Sequence, residues 1–150
     1  MRAPSTLLGL CLVSPSSALA QAAHDTLPEH VVANAYAAFN RGDAVAFTAL
    51  FAPRHDQATV HPDSLCSSRR TTREEELERL TKAFGEGGVY QRTEEVPARQ
   101  FVAGPFVVVE EVVRGPERGV VHLYIFEVRH GQIVRTLAFD AYGRAPPLSR

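Results

Sequence analysis

A chain of 150 residues, 45% hydrophobic and 22% charged, is long enough for one domain with a substantial core and short for two. Its formal net charge of −1 exerts no general pull toward nucleic acid or an anionic membrane, and its longest apolar run falls far short of the ~20 residues a membrane-spanning helix needs. Two cysteines, Cys11 and Cys66, cannot build a disulfide framework.

The chain opens with Arg2, an apolar stretch from Leu7 to Val13, the breaker Pro15-Ser16-Ser17 and the small residues of Ala18-Leu19-Ala20. Charge, apolar core and small-residue cleavage site follow in the order of a secretory signal peptide. Residues 1–20 are therefore read as a signal peptide cleaved after Ala20, and 21–150 as a single domain of a secreted or periplasmic protein. Cleavage removes Cys11. Cys66 then stands alone in a polar segment between Ser64 and Ser67-Ser68, with no His or Asp arranged beside it as in a nucleophile motif.

Thr26-Leu27-Pro28-Glu29 reads as a helix start, with Thr26 as cap and Pro28 in the first turn. Val32, Ala35, Tyr36 and Phe39 recur at helical spacing, predicting a helix over 28–41. Gly42 ends it and Asp43 caps a shorter helix over 43–51, stopped by Pro53, with Phe47, Leu50 and Phe51 on one face. Ala58–His61 is a short strand candidate, and 64–72 is polar and loop-like. Thr72-Thr-Arg-Glu75 is a capping box opening a third helix with Leu77, Leu80 and Phe84 as its apolar stripe. Glu75–Arg79 and Glu78–Lys82 are spaced as ion pairs on its solvent face, so Glu74-Glu75-Glu76 reads as a helix N-terminus rather than a metal site.

From Val89 the period changes. Residues 89–102, 105–114, 119–130 and 132–142 read as four strands, punctuated at Gly104-Pro105, at 114–119 and at His130-Gly131. Helices followed by antiparallel strands imply an α+β class, and a strongly curved sheet around the helices would bury both layers. Alternation puts His122, Tyr124, Phe126 and Val128 on one face of their strand. On the last strand Val134, Thr136, Ala138, Asp140 and Tyr142 share a face opposite Ile133, Arg135, Leu137 and Phe139. Adjacent Glu110 and Glu111 point to opposite sides, and alternation alone does not say which faces inward. The six histidines lack metal-ligand spacing, no phosphate-binding glycine pattern occurs, and Arg69-Arg70 with Arg73 is a small basic patch read as solvated loop. No metal or cofactor is expected.

Two local motifs, with this order of elements, resemble the nuclear transport factor 2-like superfamily, particularly its SnoaL-like and ketosteroid-isomerase-like members. The first runs from Tyr36 through Asn40-Arg-Gly-Asp43 to Phe51, a helix, an N-x-G-D turn and a second helix. The second runs from Gly131 to Asp140, a final hairpin and strand with an acid near its end. The resemblance covers about residues 28–143. It implies a cone-shaped curved antiparallel sheet wrapped around the N-terminal helices and enclosing an apolar pocket. Tyr36, Phe39, Tyr124, Phe126 and Thr136 would bind a ligand there. Asp140 and His122 would carry proton transfer, with His61 at the mouth. The isomerase constellation is not reproduced residue for residue: spacing to Asn40 puts Ala35, not Tyr36, at the place of those enzymes' first-helix tyrosine. The fold hosts many chemistries. Three functions follow as expectations: a pocket for a small apolar organic ligand, a cofactor-free acid–base isomerase or cyclase on a carbonyl compound, or a non-catalytic interaction module. A homodimer through the opposite sheet face, carrying Leu123, Ile125, Leu137 and Phe139, suits all three.

Overall fold

A computed structural model describes residues 26–61, 66–91, 93–114 and 120–144, with the backbone alone at 120 and 140–144. Residues 1–20, read above as a signal peptide, lie outside the described residues. The elements are α1 (Pro28–Asn40), α2 (Ala44–Ala49), β1 (Phe51–Val60), β2 (Cys66–Thr72), α3 (Arg73–Phe84), β3 (Glu94–Ala103), β4 (Phe106–Arg114), β5 (Val120–Arg129) and β6 (Gln132–Arg144).

Local chemistry sets the helix ends. Pro28 opens α1, but Leu27 occupies the N-cap position without a side-chain hydrogen bond, so Thr26 does not cap it. Gly42, at φ +68°, turns the chain in a conformation that suits glycine. Asp43 then caps α2, accepting from the Ala46 N–H at 2.9 Å. The capping box of α3 forms as expected: the Glu75 N–H donates to Thr72 Oγ1 at 3.2 Å and the Thr72 N–H to the Glu75 carboxylate at 2.8 Å. That use of Glu75 leaves Arg79 to Glu76, at 2.6 Å, rather than to Glu75. Glu78 and Lys82 pair at 2.7 Å as their spacing predicts.

The six strands form one sheet in the order β2-β1-β6-β5-β4-β3. The last four make an antiparallel meander. β1 pairs antiparallel with β2 but parallel with β6. The expected fold is corrected on two counts. The sheet is mixed, and it is open, ending at β2 and β3, neither strongly curled nor closed into a cone around the helices. The long path from β1 to β6 leaves room for the crossover that a parallel pair needs.

Two local expectations change as well. Pro53 lies within β1, which already begins at Phe51. It sits where the register with β6 shifts between Phe51 and Asp56 and before the ladder with β2 begins at Arg54, so its missing N–H breaks no ladder bond. The polar segment 64–72 is not all loop: Cys66–Thr72 is an edge strand, where solvent-facing residues such as Ser67, Ser68 and Arg70 belong.

The helices pack on one sheet face. Val31, Val32 and Tyr36 of α1 meet Val107 and Val109 of β4, Phe126 and Val128 of β5 and Ile133 of β6. Phe39, Ala44 and Leu80 form a second cluster with Phe47, Leu77, Phe84 and Tyr90. Ile133 is fully buried although strict alternation put it on the opposite face. The register shift between Glu127 and Val128 inverts the phase at that end of the hairpin.

Candidate functional site

Between α1, α2, α3 and the inner sheet face lies a cavity of about 280 Å³. Its apolar walls are rings. Tyr124 stacks on Phe126 with centroids 5.7 Å apart, and Tyr36 meets Phe126 edge to face at 6.2 Å. Phe39, which packs edge to face on Phe47 at 5.8 Å and on Tyr90 at 5.1 Å, completes that side. Thr136 and Ala138 of β6 also line the space.

One corner is acidic. Glu111 faces inward from β4 and is fully buried, which resolves the choice between it and Glu110. The Tyr36 hydroxyl donates to Glu111 Oε2 at 2.8 Å. Burial, then the Glu111 charge, keeps that phenol protonated well beyond its ordinary range. His122, directly across the β4–β5 ladder from Glu111, brings Nδ1 to 3.3 Å from Oε1. Glu95, at the start of β3, also lines the cavity. Burial first, then the Glu111 charge, raises its carboxyl well above the usual range, against the opposing pull of Arg79. Glu95 therefore keeps its proton at pH values where an ordinary carboxyl has lost it.

Asn40 positions this corner. Its Nδ2 donates to the Glu95 carbonyl at 2.8 Å, and its Oδ1 accepts from the Glu95 N–H at 2.9 Å. The asparagine of the N-x-G-D turn thus ties the end of α1 to the first residues of β3.

Another part of the lining is an ion network. Glu76, 2% exposed, accepts from Arg79 Nη2 at 2.6 Å and Nε at 3.0 Å, with Arg69 at 3.6 Å. Burial pushes Glu76 up, but Arg79, Gln57 and Arg69 more than offset it and hold the carboxyl below its ordinary range. Arg69 also donates to Gln57 Oε1 at 2.7 and 3.0 Å. Gln57 in turn reaches the buried ring of His55 at 3.1 Å. His55 packs on Phe51, and burial holds its pKa below the usual histidine value.

Of the residues singled out in the sequence, Tyr36, Phe39, Tyr124, Phe126 and Thr136 all line the cavity. His122 stands behind it, against Glu111. His61 follows β1, is exposed and is not a lining residue. Asp140 lies in β6, but its side chain is outside the described set. Glu95, Glu76, Arg79 and His55 were missed. Glu76 carried a signal, since it precedes the core residue Leu80 by one helical turn. Glu95 carried none: in the run Glu94-Glu95, only strand register decides which carboxylate turns inward. Among the described residues no group of three or more His, Cys, Asp or Glu is placed to hold a metal ion.

No family model and no curated protein matches the chain. Solved structures do. An NTF2-like protein of unknown function from Cytophaga hutchinsonii is 12% identical with TM-score 0.59, over 76% of this chain and 89% of that one. A loop-truncation variant of IdmH is 23% identical with TM-score 0.56, over 75% and 91%. A hypothetical protein from Catenulispora acidiphila with a ketosteroid isomerase-like fold, in complex with trimethylamine, is 18% identical with TM-score 0.54, over 77% and 88%. At these identities it is the architecture that is shared, and the chain has the nuclear transport factor 2-like fold, in the form also found in SnoaL-like and ketosteroid-isomerase-like proteins.

Proposed function

We propose that this domain binds a small, largely apolar organic molecule between its helices and sheet, after export from the cytoplasm. The observation that carries the reading is the cavity itself: aromatic walls with a few convergent polar groups, Tyr36, Glu95 and Glu111, at one end. Ligand sites have this composition, and the volume of about 280 Å³ suits a compact molecule. The trimethylamine complex of the Catenulispora neighbour supports a small organic occupant for this architecture. Native mass spectrometry of the protein purified from its own host tests it. A retained mass that is lost in the cavity-filling variant Ala138→Phe is expected; equal retention by that variant would overturn this location.

A second reading, cofactor-free acid–base catalysis of an isomerase or cyclase kind on a carbonyl compound, is favoured by the carboxyl pair. In it Glu95 donates and Glu111 withdraws a proton, beside the His122 and Asp140 assigned from the sequence, with Tyr36 holding Glu111 in place. Solvent deuterium exchange into enolisable ketones, followed by NMR, tests this. Exchange that persists unchanged in Glu111→Gln would remove it. The sheet face bearing Leu123, Ile125, Leu137 and Phe139 is the proposed dimer surface under either reading, and a purely monomeric species in sedimentation at micromolar concentration would refute that assignment.

A further inference from the structure

We infer that the cavity opens into a carboxylate-binding vestibule at Arg69, so that its occupant is a compact apolar molecule carrying one carboxylate; the assignment rests on the pocket reading above. Beside the ring-walled cavity lies a second, of about 210 Å³, lined by Gln57, Thr59, Ser67, Ser68 and Arg69. Gln57, Thr59 and Arg69 line both, so the two spaces adjoin. Strand register explains the succession. One row runs Phe126, Thr136, Gln57, Arg69 across β5, β6, β1 and β2, and the next runs Tyr124, Ala138, Thr59, Ser67. Residues in register share a sheet face. The floor therefore changes from aromatic at β5, through the smaller Thr136 and Ala138 at β6, to amide, hydroxyl and guanidinium groups at β1 and β2. The distance is three strand spacings, about 14 Å. A molecule lying across it meets rings at one end and hydrogen-bond donors at the other.

Arg69 carries the inference. It and Arg70 are neighbours on β2 and turn to opposite faces: Arg70 pairs with Asp56 at 2.9 Å, whereas Arg69 turns to the cavity. The Arg69 guanidinium is fixed by an uncharged partner, Nε and Nη2 donating to Gln57 Oε1 at 3.0 and 2.7 Å. Gln57 is itself braced by the His55 ring at 3.1 Å. The carboxylate in this part of the lining, Glu76, has both oxygens taken by Arg79, Oε1 at 2.6 Å and Oε2 at 3.0 Å. It stands 3.6 Å from Arg69 Nη2, an ion pair too long for a hydrogen bond. Two arginines thus share one carboxylate, and one positive charge is left over. The Arg69 side chain is 56% exposed, and among the described residues no acceptor engages its Nη1.

A planar guanidinium held in place, with N–H groups to spare and charge unbalanced, suits a carboxylate. A phosphate monoester would set nearly two negative charges beside Glu76 where one cation is spare. An ammonium group would meet the guanidinium as a like charge, and an alcohol gains no charge interaction. The acidic corner does not oppose an anion here. Glu111 lies on β4, four strand positions from β2, and is partnered there by Tyr36 and His122.

Isothermal titration of the purified protein at neutral pH, with 3-phenylpropanoate, 3-phenylpropan-1-ol and 3-phenylpropylamine as probes, tests the assignment. The carboxylate is expected to bind at least about fivefold more tightly than the alcohol, the gain of a charge-assisted hydrogen bond discounted for a half-exposed guanidinium, and the amine more weakly than either. That margin should narrow as salt is raised. Arg69→Gln, a change on an exposed edge strand, should bring the carboxylate down to the level of the alcohol on the same variant. Ala138→Phe, checked like the first variant by circular dichroism, should abolish binding of all three by filling the floor between the rings and the vestibule. Equal affinity for carboxylate and alcohol in the parent, or a margin that survives Arg69→Gln, overturns the vestibule and leaves the pocket standing. Carboxylate binding that survives Ala138→Phe reveals a surface contact with no body in the cavity, and also overturns the assignment. Failure of all three probes at millimolar concentration overturns the pocket reading and this one together.

Discussion

Asn40→Ala tests whether the turn motif and the acidic corner are one device. The substitution removes two hydrogen bonds, at 2.8 and 2.9 Å, between the Asn40 amide and the backbone of Glu95. A net protein hydrogen bond is worth about 0.5–1.5 kcal/mol, and both of these are solvent-accessible, so water replaces part of each and the loss should total about 1 kcal/mol. For a domain of this size that is a fall of about 3–5 °C in Tm. The second consequence is specific. Glu95 is raised by burial and by Glu111, and once the start of β3 is released its side chain gains solvent. Its pKa should drop toward the ordinary carboxyl value. Urea unfolding reads the first effect and a ¹³C carboxyl NMR titration the second. Asn40→Asp should behave similarly, since it keeps the acceptor for the Glu95 N–H but sets a carboxylate against the Glu95 carbonyl. A variant that loses stability while Glu95 titrates as in the parent would show that the clamp holds only the fold. No change in either measurement would refute the reasoning altogether.

The remaining expectations concern stability. Glu95 has a raised folded-state pKa, so the native state holds a proton that the unfolded chain releases. Stability therefore falls as pH rises from the ordinary carboxyl range through the raised value; the advantage of Glu95→Gln over the parent in urea midpoint should grow with pH and vanish in acid. Arg79→Met leaves Glu76 buried with Gln57 and with Arg69, at 3.6 Å, as its remaining partners. It should cost about 2–3 kcal/mol in chemical denaturation, below the ~3–5 of a fully enclosed pair. Leu80→Ala empties a fully buried site among Phe39, Ala44 and Phe84 and should cost about 2–5 kcal/mol. Gly88→Ala would drive a Cβ into the Ala83 carbonyl, and a variant with an unchanged Tm would contradict that packing.

Features that depend on neighbours along the chain could be read from the amino-acid order. The α1 helical face, the Asp43 cap, the Thr72–Glu75 capping box and the Glu78–Lys82 pair are contacts within four residues. They formed as the spacing dictates. The turns that separate β3 from β4 and β5 from β6 were legible for the same reason, as was the face shared by Tyr124 and Phe126. Contacts between distant segments were decided only by the tertiary structure. Polarity hid β2, because an edge strand is half solvent. The parallel pairing of β1 with β6 joins residues some eighty positions apart by a register no local signal encodes. One register shift reversed the side on which Ile133 lies. The acidic corner has the same origin: Tyr36 and Glu111 are 75 residues apart and Asn40 and Glu95 are 55 apart. Which of two adjacent glutamates faces the cavity follows from pairing between strands, a property of the assembled sheet that composition and periodicity do not contain.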